Sequence, residues 1–364
     1  MQASFPALTY LELALDFSDL SKDSPVFPRG FLGGSAPSLQ HLCLKGISFS
    51  KLPTLLLSAR DLVSLEVEDI PSTRYISPRA MVRGLAGLAR LRDLCLGFGC
   101  DTETLPDHWQ ARWRLDPPIQ ATLPSLTHFH YRGYSTFLEE LVAQINSPRV
   151  VDVRIGYTMQ QAQVPQLSLF IGRTTTLKLV QCRRAILTFS LEHAYIEFFD
   201  LQKERTLTCL SLTILGRSLA LQVQFIAHFL GQLVTVLSNV CYLTVRREFF
   251  QIGREHDEDT EWLPLLHVFS AVEVLHVTGG LAGHIGSALE DISQEELPSL
   301  HLLWLDDDYD GDDEKPVGST ERFFYLRQLS DRPVTIVNSR DEFIERFRLH
   351  QRHSEKVLSP PLAW

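Results

Sequence analysis

LTYLEL at Leu8–Leu13 returns as LQHLCL at Leu39–Leu44, LVSLEV at Leu62–Val67, LRDLCL at Leu91–Leu96 and LTHFHY at Leu126–Tyr131. The same Leu-x-x-Leu-x-Leu cadence continues as VVDVRI from Val150, LTCLSL from Leu207, VCYLTV from Val240, VEVLHV from Val272 and LHLLWL from Leu300. Self-similarity at such a spacing is the signature of a repeat architecture. In an extended strand alternate side chains point to opposite faces, so the two residues of Leu-x-Leu go inward and their neighbours outward. Each motif therefore reads as a short strand with one buried face, and the leading leucine packs from the turn that approaches it. Burying one such side chain contributes roughly 1.5–3 kcal/mol, so no single repeat closes a core alone.

The middle apolar residues form a marker series: Leu11, Leu42, Leu65, Leu94, Phe129, Val153, Leu210, Leu243, Leu275 and Leu303. Successive markers lie 23 to 35 residues apart, apart from 57 residues between Val153 and Leu210. That interval is expected to hold an irregular repeat with a strand in TTLKLVQ near Leu177, in a register that the pattern does not fix between about 156 and 206. A last strand is expected in RPVTIVNS near Ile336. The connecting segments read as helical. TFLEELVAQI places Phe137, Leu138, Leu141, Val142 and Ile145 on one face, with Thr136 and Glu139 spaced as a capping box. Leu219, Val223, Ile226, Leu230, Leu233 and Leu237 make a second stripe, and Leu281, Ile285, Leu289 and Ile292 a third. Ser77 before Pro78 suits an N-cap followed by proline at the first helical position. Strand, crossover helix and parallel strand imply right-handed winding. The expected fold is α/β: a leucine-rich-repeat solenoid, or horseshoe, with a curved parallel sheet on the concave face and helices or irregular turns on the convex face.

One solenoid of about 11–12 irregular repeats is expected over residues 1–350, with no domain boundary, because such an array has no separate cores. Ser339 and Glu342 are spaced to cap DEFIERFRLH, an amphipathic helix at about 340–350 that would close the array, followed by a flexible tail at 351–364. The N-terminal side carries no matching cap, as if a covering element were missing. The 364 residues are 45% hydrophobic and 21% charged, ordinary for a folded chain. A formal charge of −10 opposes binding to a phosphate backbone, and no nucleic-acid partner is expected. Six cysteines occur singly at Cys43, Cys95, Cys100, Cys182, Cys209 and Cys241, and no export signal is present. They read as reduced thiols of a cytoplasmic or nuclear protein. The apolar stretch Leu219–Val240 is interrupted by Gln222, Gln224, His228 and Gln232, so it reads as a buried helix and not a membrane span.

Several motifs suggest chemistry. DDDYDGDDE at Asp306–Glu314 places acidic residues and Gly311 partly as in an EF-hand loop. Position twelve is Val317 where a bidentate glutamate is needed, and a strand precedes it, so a solvated acidic loop is expected. Gly279 and Gly280 stand at a strand-to-helix turn without the spacing of a nucleotide loop, which fits backbone freedom better than phosphate binding. No HExxH and no GxSxG occurs, and no acid, base and nucleophile converge; the chain reads as a non-enzyme with no cofactor, no metal and no catalytic residue. Cys43 and Cys95 should face the concave groove in packing roles. Trp109 and Trp113 lie in an irregular insertion from about Gly99 to Thr122, expected to fold back on the array. The binding positions follow from alternation: Glu12, Lys45, Glu66, Glu68, His128, His130, Arg132, Asp152, Arg154, Thr244, Arg246, His276, Trp304 and Asp306, a face for a protein partner.

FPRGFLGGSAPSLQHLCLKGI, LPTLLLSARDLVSLEVEDIP, ISPRAMVRGLAGLARLRDLCLGF, VPQLSLFIGRTTTLKL and EWLPLLHVFSAVEVLHVTGG, taken in order, resemble the leucine-rich-repeat region of F-box-domain-containing proteins of mushroom-forming (basidiomycete) fungi. The resemblance covers most of the chain through individually generic motifs. It implies a substrate-binding repeat array whose N-terminal F-box grips the Skp-type adaptor of a cullin-RING (SCF-type) ubiquitin ligase. The sequence departs from that pattern, since no F-box precedes the repeats. LPTLLLSARDL at Leu52 starts somewhat like one but runs straight into a repeat strand. The adaptor is therefore expected as a partner only where such a module exists, and the alternative expectation is a free-standing scaffold or decoy without ligase recruitment.

Overall fold

The structure is a computed structural model and describes residues 5–15, 31–47, 49, 51–70, 76–98, 119–158, 164–174, 182–200, 207–216, 218–233, 237–248, 260–278, 280–290, 297–305, 321–329 and 332–337. The strands are β1 (Tyr10–Ala14), β2 (His41–Lys45), β3 (Ser64–Ile70), β4 (Asp93–Phe98), β5 (Ala121–Thr122), β6 (His128–Tyr134), β7 (Ile145–Asn146) and β8 (Asp152–Thr158). They continue as β9 (Cys182–Phe189), β10 (His193–Asp200), β11 (Leu207–Leu215), β12 (Tyr242–Arg247), β13 (Val274–Val277), β14 (Leu302–Leu305) and β15 (Thr335–Val337). Between them lie the helices α1 (Leu52–Leu56), α2 (Pro78–Leu85), α3 (Ser135–Val142), α4 (Pro165–Arg173), α5 (Leu219–Gly231), α6 (Leu263–His267), α7 (Ala282–Glu290) and α8 (Glu321–Leu329).

Thirteen strands form one sheet in the order β1-β2-β3-β4-β6-β8-β11-β10-β9-β12-β13-β14-β15, while β5 and β7 make a separate parallel pair. Every marker residue falls in one row of directly paired positions. Leu11, Leu42, Leu65, Leu94, Phe129, Val153 and Leu210 are in register. Phe198 and Ala185 carry the row on to Leu243, Leu275, Leu303 and Ile336. This row and the next inward one merge with Leu52, Met81, Leu85, Phe137, Leu141, Leu167 and Ile226 from the helices into one core. Many of the repeats begin in the same way. The leading residue of the motif donates its N–H three residues back: Leu39 to Ala36, Leu62 to Ala59, Leu91 to Leu88, Leu126 to Leu123, Val240 to Leu237, Val272 to Phe269 and Leu300 to Leu297. One carbonyl then accepts two N–H groups from the next repeat, as Gln40 O does from Val63 and Ser64 and Val63 O from Arg92 and Asp93.

The sheet is mostly, but not wholly, parallel. β9, β10 and β11 form a meander in which β10 runs antiparallel to both neighbours, which corrects the expectation of an all-parallel sheet. The chain leaves β8, skips two positions to lay down β9, then returns through β10 to place β11 beside β8. It next passes through α5 to β12, on the far side of β9. The interval between Val153 and Leu210 thus holds two further strands. The strand expected near Leu177 lies outside the described residues. Gln222 explains how α5 meets this detour: fully buried on the helix, it donates its side-chain N–H groups to Ser190 O and Gly216 O at the ends of the meander strands. The amide nitrogen thus meets two loop carbonyls, while the buried Oε1 has no hydrogen-bond partner among the described residues.

Ser77 caps α2 as expected, its side chain accepting from Ala80 N at 3.1 Å. The capping box of α3 is corrected: the helix starts at Ser135 after Tyr134, without a side-chain cap. Glu139 instead accepts from Gln166 N and Leu167 N, each at 2.8 Å, and caps α4 of the following repeat. A carboxylate at a helix N-terminus satisfies orphan donors and meets the favourable end of the dipole. Where the motif replaces leucine by Tyr131, its hydroxyl donates to Tyr134 O at 2.8 Å. Room for it comes from Gly133, where a Cβ would lie 2.6 Å from that oxygen. The capping helix at 340–350, the tail at 351–364, the acidic loop with Asp306, and Trp109 and Trp113 lie outside the described residues. No helix among the described residues is long and apolar enough to cross a membrane.

Candidate functional site

With one sheet face packed on the helices, the other carries the outward residues of the motif in continuous rows. The middle row runs Glu12, Cys43, Glu66, Cys95, His130, Arg154 and Ser211, then Glu197, Ile186, Thr244, His276, Trp304 and Val337. One row further along the strands, Gly97, Arg132, Gly156, Thr213, Tyr195, Thr188 and Arg246 stand side by side. All described members of the expected binding set therefore lie on this face, and Asp306 falls outside the described residues.

Most of these charges are already engaged with one another. Lys45 Nζ contacts Glu66 at 2.6 Å and Glu68 at 3.3 Å, and the two carboxylates raise its pKa. His128 meets Asp93 at 2.7 Å. Asp152 receives Arg154 at 3.1 Å and the approach of His130 at 3.5 Å. Burial works against ionisation of Asp152, but its hydrogen bonds with His130 and Arg154 outweigh it and hold the carboxyl below the usual range. Glu12 accepts from Tyr10 Oη at 2.6 Å, and Arg246 Nε donates to Thr188 Oγ1 at 2.8 Å. Pairs of this kind, some across strands and some between residues two apart on one strand, contribute roughly 0.2–1 kcal/mol each and restrain the side chains.

The two halves of the face differ. From β3 to β10 it opens into a depression of about 560 Å³ whose lining includes Asp69, Cys95, Arg132, Tyr195 and Thr213. Gly97 and Gly156 bear no side chain on either side of Arg132, and the bare backbone there forms the floor. Arg132 is exposed and has no ion-pair or hydrogen-bond partner among the described residues. Cys95 donates to Glu68 at 3.3 Å, and burial together with that carboxylate pushes its thiol up to about 12. Towards β15 the same face is apolar and buried: Cys241, Tyr242, Val274, Leu302, Trp304 and Val337 form a second hydrophobic cluster. His276 stacks on Trp304, and burial, followed by the nearby charge of Arg184, brings its pKa down to about 4. Of the two residues expected on the binding face here, Trp304 is buried and His276 half-buried. The Trp304 side chain is 7% exposed, and its burial among aromatic and aliphatic neighbours serves cohesion.

Sequence reasoning missed Asp69, Tyr195, Ser211 and Thr213. Asp69 sits at an irregularity of β3 in the left-handed region (φ 53), off the alternating pattern. Tyr195 belongs to the unforeseen β10, and Ser211 and Thr213 fell within a motif whose outward positions were not singled out. Cys43, Cys95, Cys182 and Cys241 form no disulfide, and no group of three or more His, Cys, Asp or Glu side chains among the described residues is placed to hold a metal. Compared with known proteins, the chain matches no family model, and neither a curated protein nor a solved structure is similar to it.

Proposed function

We propose that the chain is a leucine-rich-repeat solenoid and acts as a non-enzymatic protein-recognition module that binds its partner on the open sheet face, the concave side of the horseshoe. The observation that carries this reading is the continuous array of outward residues, one per strand, whose charges pair across the strands from β2 to β8, as Lys45 does with Glu66, His128 with Asp93 and His130 with Asp152. Side chains held in place before binding lose less freedom when a partner arrives, which favours recognition by a rigid surface. In the F-box reading the partner is a substrate of a cullin-RING ubiquitin ligase, and the module acts in the cytoplasm or nucleus.

A second reading, a scaffold or decoy without ligase recruitment, is favoured by one observation. LPTLLLSARDL forms α1 and the turn into β3 as an ordinary repeat, stacked beside α2, and so does not supply an adaptor-binding module. One experiment tests recognition and separates the two readings. The full chain and its Glu66→Lys/Arg154→Glu variant are cross-linked in cells and the captured proteins quantified, with the Skp-type adaptor assayed in the same pull-down. Partner capture should fall at least tenfold in the variant while the melting transition is retained. Capture unchanged by the reversal would overturn the face assignment, and adaptor capture would select the ligase reading.

A further inference from the structure

The depression on the open face holds two opposite charges that do not satisfy each other. Arg132 and Asp69 both line it, and neither has an ion-pair or hydrogen-bond partner among the described residues. The other charges in the depression are engaged: Glu68 with Lys45, and Arg154 with Asp152. Between the unmatched pair stands Gly97, which has no side chain of its own and packs beside Glu68, and Gly156 lies on Arg132's other side. A Cβ at Gly97 would lie 3.3 Å from Glu68 Cα, whereas one at Gly156 meets nothing closer than 3.8 Å. Close packing against β3 thus accounts for Gly97, whereas a side chain at Gly156 would meet only ordinary contacts with Arg132 and Thr213, so that glycine leaves room beside Arg132. The far wall offers hydroxyls from Tyr195, Ser211 and Thr213.

The dimensions indicate what fits. From β3 to β10 the depression crosses six adjacent strands. At roughly 4.8 Å per strand it is about 24 Å long, the reach of about seven residues of extended chain. A single small anion would leave most of that length empty. Arg132 lies two strands from Asp69, about 10 Å, which an extended peptide spans in about three residues.

We propose that this groove binds an extended segment of the partner protein, laid across the strands, with an aspartate or glutamate on Arg132 and a lysine or arginine two to four positions away on Asp69. A guanidinium with no competing carboxylate takes an incoming carboxylate through two parallel hydrogen bonds. This rests on the protein-recognition reading and adds the chemistry of the segment and its location. The acidic neighbours Glu68 and Asp69 make the groove a poor match for a dianionic phosphate and a good one for a segment of alternating sign.

The test is selection of a displayed random-heptapeptide library on the full chain, on Arg132→Glu and on Gly156→Val, followed by anisotropy titration with the synthetic consensus peptide. The intact chain should enrich heptapeptides carrying an acidic and a basic residue two to four positions apart. Arg132→Glu should select a basic residue in place of the acidic one and bind the original consensus at least tenfold more weakly. Gly156→Val, which fills the floor while keeping the melting transition, should abolish enrichment. The same consensus on the intact chain and on Arg132→Glu overturns the proposal, as does absence of enrichment. If partner capture in cells still depends on Glu66 and Arg154 when no heptapeptide is enriched, the recognition reading stands and the segment proposal alone falls. If both fail, both fall.

Discussion

Trp304 and His276 lie face to face, their ring centroids 3.7 Å apart and their planes 3° from parallel. The imidazole is on one strand and the indole on the next, paired in register, so the stack fastens β13 to β14 on the side away from the helices. Its environment favours the neutral imidazole, through burial first and then Arg184.

The stack makes stability depend on pH in a defined direction. His276 titrates near 4 when folded and near 6.5 when exposed, so between those values the unfolded chain binds the extra proton. Its stabilising contribution is complete above about pH 6.5 and is lost as pH falls towards 4. At pH 5 the intact protein should have lost about 2 kcal/mol more than a His276→Phe variant, which keeps an aromatic ring on Trp304. Urea unfolding of both proteins at pH 7 and pH 5 measures the difference, and parallel losses would contradict the burial of a neutral imidazole.

Glu139 links two repeats by capping the neighbouring helix. Glu139→Ala should leave two N–H groups of α4 without their carboxylate and lower the unfolding free energy by about 1–2 kcal/mol. Hydrogen exchange should quicken at Gln166 and Leu167 and remain unchanged in α2. Equal acceleration in both helices would show a general loosening and not the loss of a cap.

The thiols on the open face should be poor nucleophiles. Cys43 is pushed up to about 11 by burial and by Glu66, and Cys95 to about 12 by burial and by Glu68. At pH 8 the thiolate of Cys43 is scarcer than that of an ordinary cysteine by about two orders of magnitude, and that of Cys95 is scarcer still. Peptide mass spectrometry after timed iodoacetamide treatment should show both labelled far more slowly in the folded protein than after denaturation. Rapid labelling of either would mean that the neighbouring carboxylate does not act on it.

Leu94 lies in the marker row between Leu65 and Phe129 and is 1% exposed. Leu94→Asp places an unpaired charge in the core and should cost about 3–5 kcal/mol, enough to leave little soluble folded protein. A normally melting variant would show that the inward and outward faces have been exchanged by one residue.

The inward row was legible because it repeats a single physical demand. Each marker from Leu11 to Leu210 sits on a strand with one buried face, and alternation then assigns the outward neighbours, while the strands of Leu243, Leu275 and Leu303 bury residues on both faces. The meander was not legible. In Cys182–Phe189 and His193–Asp200 the apolar residues also alternate, but no leading leucine turn announces them, and nothing in alternation says whether a strand runs with or against its neighbour. Alternation likewise names Arg132, Lys45 and Asp152 as outward without saying that Lys45 and Asp152 are engaged and Arg132 is not. That distinction depends on which residue stands across the strand, and it needed the register. Alternation puts His276 and Trp304 on the open face but does not report that Tyr242, Val274, Leu302 and Val337 on the same and adjacent strands cluster with Trp304 there.

The detour around β9, β10 and β11 sets a limit on how this array can change length. Where chain order and spatial order agree, as from β1 to β4, a unit can be excised or duplicated and the cut ends still meet their new neighbours. Between β8 and β12 they do not agree. Removing β10 alone would reverse the direction required of β11, and removing β9 would leave β12 paired only with β13 while β8 keeps its partner. The three strands can be gained or lost only together, so the molecule is two extensible arms joined by an indivisible clasp. The depression on the open face reaches onto that clasp through Tyr195, Ser211 and Thr213. Lineages that lengthen or shorten the arms would therefore alter how much surface flanks the groove while leaving its far wall intact.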